Sequence, residues 1–404
     1  LQWLKSLFHK STGPTTITNI VYYILFIIYG LKGGFNMKFK CQQNILSSAI
    51  NMVSKAVSSK TTLPILSGIY FEASNGALKV IGNDLNLSIE TTMDAITLEE
   101  GSVVIPARLF SELIRKLPNE EITFTINDNH VVDILCGDSS FKIVGLPGNE
   151  YPELPVIDNS NSFLIDKELF ANMIRQTSFA ISQDESRPIL TGALLEIENG
   201  KFNMVAIDGF RMAIKKAIVK TDLSKKAVVP GRTLNEINKL LSQNDSKGDL
   251  RISFDDKQVL FSTGDLKVYS RLLAGEFINY NQILPNEYKS MAITDTDQFL
   301  TAIDRSFLMA RENKNVAIKL EVKDDFIKIT SNSEMGSSIE KVHIKLEGQD
   351  LEIGFNPKYL IDALKIIDSE DIRLEFVNNV SPCIIRPIDN DNYTYLVLPC
   401  RISK

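Results

Sequence analysis

The chain repeats itself three times, and this constrains its fold more than any other feature. Leu63-Pro-Ile-Leu-Ser-Gly68 returns as Arg187-Pro-Ile-Leu-Thr-Gly192, 124 residues later. Two β-rich runs around a two-residue turn then follow. The turns are Asn75-Gly76, Asn199-Gly200 and, in a third copy, Asp324-Asp325, at intervals of 124 and 125 residues. Asn-Gly between such runs is a strong hairpin signal, because both turn residues need positive φ. A helical stretch recurs with the same period: Ile105-Pro-Ala-Arg-Leu-Phe-Ser-Glu-Leu-Ile, Val229-Pro-Gly-Arg-Thr-Leu-Asn-Glu-Ile-Asn and Phe355-Asn-Pro-Lys-Tyr-Leu-Ile-Asp-Ala-Leu. Strand pairs are expected after each: Glu121–Ile126 with Val131–Cys136, Leu250–Phe254 with Val259–Ser262, and Ile372–Phe376 with Cys383–Arg386. An opening helix is predicted in each copy, near Gln42–Val57, Lys167–Ile181 and Asp297–Arg311; Ile45, Leu46, Ile50 and Val53 of the first fall at helical spacing. Each copy reads β-α-β-β-β-α-β-β with further strands. The fold class is α+β, in three modules expected at 37–161, 162–290 and 291–404. Linkers rich in Pro and Asn, Pro152–Pro155 with Asn159–Asn161 and Asn279–Asn286, join them.

The remaining N-terminal stretch, residues 1–36, has no counterpart in the repeat. It carries no charge from Ser11 to Leu31, and Ile17–Leu31 is mostly apolar, with Lys5 and Lys10 before it. The apolar part spans about 22 Å as a helix, short of the roughly 30 Å hydrocarbon core of a bilayer. Met37-Lys-Phe-Lys opens the first module at once. The expectation is that Met37 is the natural start and 1–36 is translated upstream sequence, with a membrane tether as the alternative.

No catalytic constellation is present. The chain has neither a GxxxxGK[ST] phosphate loop nor a GxGxxG turn. His130 and His343, the histidines of the repeats, sit in different modules and read as packing or surface residues. Asp208-Gly209-Phe210-Arg211 pairs an acid with a cation, but reads first as a turn in which Gly209 supplies positive φ. Asp389–Asn392 resembles the start of a calcium loop, yet lacks its Gly and distal Glu. The four cysteines, Cys41, Cys136, Cys383 and Cys400, lie far apart and form no CxxC pair. They read as free thiols in a reducing compartment. No metal and no cofactor are expected.

Charge is partitioned unevenly. The whole chain is −6, with 44 Lys+Arg against 50 Asp+Glu. A protein that holds nucleic acid by bulk charge is usually basic. Yet the six predicted helices together carry +7, through residues that include Arg108, Arg115, Arg175, Arg232 and Lys358. Arg108, Arg232 and Lys358 occupy the same place, near the N-terminus of each second helix, where the helix dipole disfavours a cation by about 0.3–1 kcal/mol. Three repetitions of an unfavourable placement point to a use. If the helices share one surface, that surface attracts phosphate although the protein is acidic overall. No recognition-helix motif and no aromatic stacking platform is apparent in the sequence, so no base readout is expected.

Met37-Lys-Phe, Thr62-Leu-Pro-Ile-Leu, Val104-Ile-Pro-Ala, Asp208-Gly-Phe-Arg, Gly354-Phe-Asn-Pro and the tail Leu398-Pro-Cys-Arg401 resemble the bacterial DNA polymerase III beta subunit family, the sliding clamps. The likeness runs through 37–404 in order. It implies a non-catalytic accessory subunit: a head-to-tail homodimeric ring with helices inside and sheets outside. Such a ring encircles double-stranded DNA without sequence preference and makes replicative polymerase processive. It implies as partners the DNA polymerase III alpha-type subunit, clamp-loader subunits, and other polymerases and repair proteins, each docking through a short peptide. It also implies a cytoplasmic location, with no membrane. By position, the partner-peptide groove falls on Leu190, Ile207, Gly209, Phe210, Arg211, Met212, Ile278, Gln282, Ile283, Asn356, Tyr359, Val380, Pro382 and the tail Leu396, Val397, Leu398, Pro399, Cys400, Arg401 and Ile402. Ile207, Ile278 and Gln282 depart from the family pattern, where Thr, Pro and a cation are frequent. Lys60 falls on a loop that often carries a DNA contact, and the ring joint falls on Phe141 and Ile143 against Leu308 and Met309. The competing readings are a repeated α+β scaffold that does not bind DNA, and an enzyme whose site spans repeats.

Overall fold

The computed structural model describes residues 37–58, 61–127, 129–243, 248–311 and 316–401. The expectations for 1–36, Lys60 and Ile402 lie outside the described residues. The chain forms two compact units that part between Leu154 and Pro155, with Leu85–Leu87 counted in the second.

Six α-helices occur among the described residues: α1 Gln43–Val53, α2 Ala107–Lys116, α3 Lys167–Thr177, α4 Gly231–Gln243, α5 Thr296–Ala310 and α6 Pro357–Leu364. They pack in pairs, α1 with α2, α3 with α4 and α5 with α6. The first helices of the first two pairs are shorter than their apolar spacing suggests, while α5 keeps the expected length and starts one residue earlier. In α1 and α3 the last turn tightens into 3-10 geometry, at Ser54–Ala56 and Ser178–Ala180. These bounds revise the charge partition. Lys55, Arg311 and Lys365 lie past the last turns, and Asp297 joins the first turn of α5, so the helices carry +3 rather than +7. The excess now rests on α2, α3 and α4.

Each repeat contributes two antiparallel strand groups. In the first unit, Gly101–Pro106, Gly68–Ser74, Ala77–Asn83 and Leu87–Asp94 lie side by side. A second sheet orders Ile96–Glu99, Met37–Gln42, Glu121–Ile126, Val131–Cys136 and Ser139–Val144. The second repeat orders Lys225–Pro230, Gly192–Glu198, Lys201–Ile207 and Arg211–Ile218, and separately Leu266–Arg271, Gln258–Thr263, Asp249–Phe254 and Ser162–Asp166. The third orders Leu351–Phe355, Ile318–Lys323, Phe326–Ser333 and Gly336–His343, and separately Lys345–Gly348, Ser290–Asp295, Asp371–Phe376, Cys383–Pro387 and Tyr393–Val397.

Local chemistry explains the repeated motif. Gly68 and Gly192 begin their strands where the neighbouring strand passes closely. A Cβ on Gly68 would fall 2.4 Å from Val104 Cγ1, and one on Gly192 would fall 2.4 Å from the Val229 carbonyl oxygen. The Asn-Gly turns adopt the expected left-handed conformation, with φ of 51° and 78° at Asn75 and Gly76 and 51° and 73° at Asn199 and Gly200. Neither Asp324 nor Asp325 does so, although Lys323 still pairs with Phe326 across that turn.

Strand alternation sends one set of side chains toward the helices. There Phe110 of α2 packs edge-on to Phe71 and Phe124, and Phe170 of α3 packs on Phe202 and Phe261. The opposite sheet face is covered by chain connections. In the first unit Tyr151 stacks on Tyr70 beside Leu66, Ile81 and Val104. In the second repeat the connection after Arg271 covers Leu194, Val205, Ile214 and Val228 with Phe277, Tyr280, Ile283 and Leu284.

Within the second unit, Arg211–Ile218 of the second repeat pairs with Tyr393–Val397 of the third, from Arg211↔Val397 to Lys215↔Tyr393. One nine-stranded sheet therefore runs through both repeats.

Candidate functional site: an apolar groove at the seam of two modules

The groove is built where that seam ends. Arg211–Ile218 brings Met212 opposite Leu396, and Lys201–Ile207 brings Ile207 opposite Met212. Leu190 arrives from the 3-10 turn Pro188–Thr191. These four side chains, with Leu194, Val205, Tyr280 and Ile384, form one buried cluster, against which Ile189, Ile283 and Phe277 pack partly exposed. Leu190, Ile207, Met212 and Leu396 are thus the floor rather than free docking surface. The exposed apolar surface lies around them: Phe210 is 58% exposed, Ile278 41%, Leu398 38% and Val380 77%. Val397 is buried in its strand, Pro382, Pro399 and Cys400 are half-buried, and Gly209, Gln282 and Arg401 are exposed.

The turn Asp208–Arg211 is held by its own side chains. Asp208 Oδ1 accepts from the amides of Phe210 (2.9 Å) and Arg211 (3.0 Å). Gly209 sits at φ 93°, where a side chain would be strained. The amide of Leu398 donates to the Phe210 carbonyl at 2.9 Å, and that of Cys400 to the Gly354 carbonyl at 2.9 Å, so the tail is tied to both repeats.

Arg211 differs most from expectation. Its position suggests a cation free to bond a peptide, but its side chain is only 9% exposed and already engaged. Nε donates to Asp208 (2.9 Å), one terminal nitrogen to Asp362 of α6 (2.7 Å), and the other to the Phe179 carbonyl (2.9 Å). The guanidinium lies over the rings of Tyr359 (4.6 Å) and Phe179 (5.3 Å). Burial pulls its pKa down, but the bonds to Asp362 and Asp208 outweigh that and carry it above the ordinary arginine value. Arg211 is a tether between the two repeats. Asn356 is likewise engaged: its Oδ1 caps α6 by accepting from the Lys358 amide at 3.0 Å. Tyr359 stacks on Phe210 at 6.0 Å, and its carbonyl accepts from Tyr395 Oη at 2.8 Å.

The candidate phosphate-facing residues Arg108, Arg115, Arg175, Arg232 and Lys358 are all exposed on their helices. The Arg108 side chain is 97% exposed, with Glu112 3.9 Å from its Nε. Arg175 is partly neutralised by Asp368 at 2.6 Å. Between α1 and α2 lies a cleft of about 930 Å³, lined by Ser47, Ser48, Ser54 and Ser111 with Arg108 and Arg115 at its edge. At the expected joint, Phe141 and Leu308 are exposed and Met309 is half-buried. Ile143, expected there too, is 7% exposed and packs into its own module, while its neighbour Val144 is open to solvent.

Leu194, Val205, Tyr280, Ile384, Asp362 and Phe179 were missed by sequence reasoning. Strand alternation could have supplied Leu194 and Val205. Asp362 stands 151 residues from Arg211, and no local pattern joins them.

Three modules, a strand seam with an apolar groove, and exposed cations on paired helices define a clamp-type binding protein. Residues 37–155, 164–279 and 281–401 match, in turn, the N-terminal, central and C-terminal domains of the DNA polymerase III beta subunit. The chain is 38% identical over 378 residues to the beta sliding clamp of Bacillus subtilis, covering 90% of this chain and all of that one. It is 36% identical to that of Staphylococcus aureus over 377 residues, covering 90% and 99%. The crystal structure of the Bacillus subtilis sliding clamp superposes with a TM-score of 0.88 at 36% identity, covering 91% of this chain and all of that one. A Pseudomonas aeruginosa sliding clamp bound to griselimycin superposes with a TM-score of 0.85 at 28% identity, covering 92% and 100%. The chain belongs to the DNA polymerase III beta subunit family. Its function is that of a DNA sliding clamp in replication, a non-catalytic processivity factor.

Removing the Arg211 side chain leaves Asp208 and Asp362 without their cation, and breaking a pair of this kind typically costs about 3–5 kcal/mol. Arg211→Ala should lower the urea midpoint of the protein. Arg211→Lys should recover part of the loss, because one ammonium cannot reach three acceptors in different directions. A midpoint for Arg211→Ala equal to that of the parent protein would show that the tether carries no stability.

Proposed function

We propose that two copies of this chain close head to tail into a ring around duplex DNA, and that the groove recruits partners through short peptides. The observation that carries the ring is the seam. The first strand group of the second repeat ends in Arg211–Ile218, which pairs with Tyr393–Val397 at the end of the third repeat's second group. Two equivalent edges, Gly336–His343 in the third repeat and Ser139–Val144 in the first, each lie at the end of a sheet. Pairing these two edges between copies applies the same rule again, and doing so twice closes a dimer. Exposed Phe141, Val144, Leu308 and Ile339 on or beside these edges supply the apolar surface. The modules are 37–161, 162–290 and 291–404.

Lys60, Arg108, Arg115, Arg175, Arg232 and Lys358 are the DNA-facing set in this reading. Contacts made with few flexible cations to phosphate are weak and sequence-independent, which suits sliding. The groove takes peptides of the polymerase alpha-type subunit, clamp-loader subunits and other polymerases and repair proteins. Its buried floor and exposed apolar rim favour an extended peptide with two or three apolar anchors. The protein works in the cytoplasm. Four cysteines without a disulfide suit a reducing compartment, and no helix among the described residues is long and apolar enough to cross a membrane.

Burying one large apolar side chain contributes about 1.5–3 kcal/mol. Phe141→Asp should therefore give monomers at low micromolar concentration in sedimentation velocity. A stable dimer in that variant would contradict the proposed joint.

Because the groove is shared, Phe210→Asp should remove clamp-loader and polymerase binding together while leaving the dimer intact. Loss of the loader with unchanged polymerase affinity, measured by surface plasmon resonance, would mean two separate sites.

A further inference from the structure

The three repeats place a glutamate at one position of the same strand: Glu72, Glu196 and Glu321. Directly across the hairpin stands Lys79 in the first repeat and Lys328 in the third, but Asn203 in the second. In the first and third repeats the lysine is the glutamate's cross-strand partner, at 2.7 Å for Lys79 and 3.4 Å for Lys328. In the second repeat the shorter Asn203 leaves room at the carboxylate, and a residue from outside the sheet fills it. That residue is Tyr280, from the connection between the second and third modules. Its hydroxyl donates to Glu196 Oε2. Asn203 Nδ2 donates to the same oxygen (3.1 Å) and to the tyrosine hydroxyl (3.3 Å), and Lys226 holds the other carboxylate oxygen at 2.7 Å.

The substitution occurs in the repeat that supplies Leu190, Ile207 and Met212 to the groove's floor. Tyr280 is 6% exposed, its ring in the cluster with Leu190, Ile207, Met212 and Leu396. It opens the 3-10 turn Tyr280–Gln282 and accepts from the Ile283 amide at 3.1 Å. Ile278 stands two residues before it, and Gln282 and Ile283 follow, so the segment it anchors is the groove's wall. Glu196 is a firm anchor. Burial alone raises a carboxyl pKa, but here Lys226, Tyr280 and Asn203 hold it below the usual range, so the group is ionised at neutral pH. A hydrogen bond to a buried charged acceptor is stronger than one between neutral groups.

We propose that Tyr280, latched by Glu196 and Asn203, is the positioning residue that fixes the groove wall and so sets affinity for partner peptides. The proposal rests on the reading of the groove as a peptide site. A wall fixed in advance removes an ordering cost from each binding event. In the other two repeats the same glutamate is held from within the sheet, Glu72 by Lys79 and the Tyr70 hydroxyl (3.3 Å) and Glu321 by Lys319 and Lys328.

The test uses the full chain and a fluorescein-labelled pentapeptide with a polar lead residue and leucine and phenylalanine anchors, read by fluorescence anisotropy. Tyr280→Phe keeps the ring and removes the latch. It should weaken the peptide about five- to thirty-fold, the range expected for losing one such hydrogen bond, and speed amide hydrogen exchange at Gln282 and Ile283. Asn203→Lys rebuilds the pair of the other modules and competes Tyr280 away. It should weaken the peptide in the same direction without lowering the thermal midpoint, and it stands as the test if Tyr280→Phe folds poorly. The two changes together should cost little more than either alone, because both break one contact. Glu72→Gln, at the matching place in the first module, should leave peptide affinity unchanged. Affinity within two-fold of the parent in both Tyr280→Phe and Asn203→Lys would overturn the latch. If Phe210→Asp also binds like the parent, the peptide-site reading itself fails; if Phe210→Asp alone loses the peptide, that reading stands and only the latch is lost.

Discussion

The antiparallel ladder from Arg211↔Val397 to Lys215↔Tyr393 is the interaction on which the rest depends. It converts two modules, each complete in its own strands, into one sheet. Backbone hydrogen bonds make the joint, so it tolerates different side chains at equivalent places in other modules. The same ladder sets Met212 beside Leu396 and carries the tail back along Phe210, where Leu398 bonds its carbonyl. The groove's floor is therefore a consequence of joining modules, and the connection through Tyr280 and Ile283 packs beside it.

Arg211 shows how the seam is reinforced. It stands at the first position of the ladder and reaches Asp208 in its own turn, Asp362 on α6 and the Phe179 carbonyl beyond α3. A buried guanidinium is costly unless its donors are satisfied, and here each nitrogen has an acceptor. Aromatic faces above it complete the site. The groove consequently has a rigid polar end and an apolar floor, with exposed side chains only at its margins. In the proposed peptide reading, recognition at such a site falls to shape and apolar contact at the exposed Phe210, Ile278, Val380 and Leu398.

Much of the fold is legible in the sequence because the repeat is a direct record of it. Asn-Gly turns fix two hairpins by backbone chemistry, and the Pro-Ile-Leu motif marks the strand start where Gly68 and Gly192 meet a neighbouring strand. The strand pair Glu121–Ile126 and Val131–Cys136 has the bounds that its alternation suggests. Helix ends are less legible. The turn containing Lys55 tightens to 3-10, and Lys365 falls past the end of α6, which removes charge from the helices that their spacing had assigned. The groove's candidate members come from the resemblance, but the part each residue takes does not. Burial of Leu190 and Met212, and the bonds that occupy Arg211, come from pairings across repeats that no local pattern encodes. Glu196 is the instructive case. Its repeat position is plain in the sequence, yet its partner, Tyr280, lies in a linker with no periodic signal.

The central claim is that DNA is held by enclosure within a closed dimer and not by strong contacts. The direct measurement is retention of the loaded protein on circular duplex DNA through gel filtration at moderate salt, followed by cutting that DNA once. A clamp that encloses its DNA stays with the intact circle and leaves within minutes of linearisation. Protein that remains on the linear product, or that binds linear DNA equally well without loading, would contradict the account.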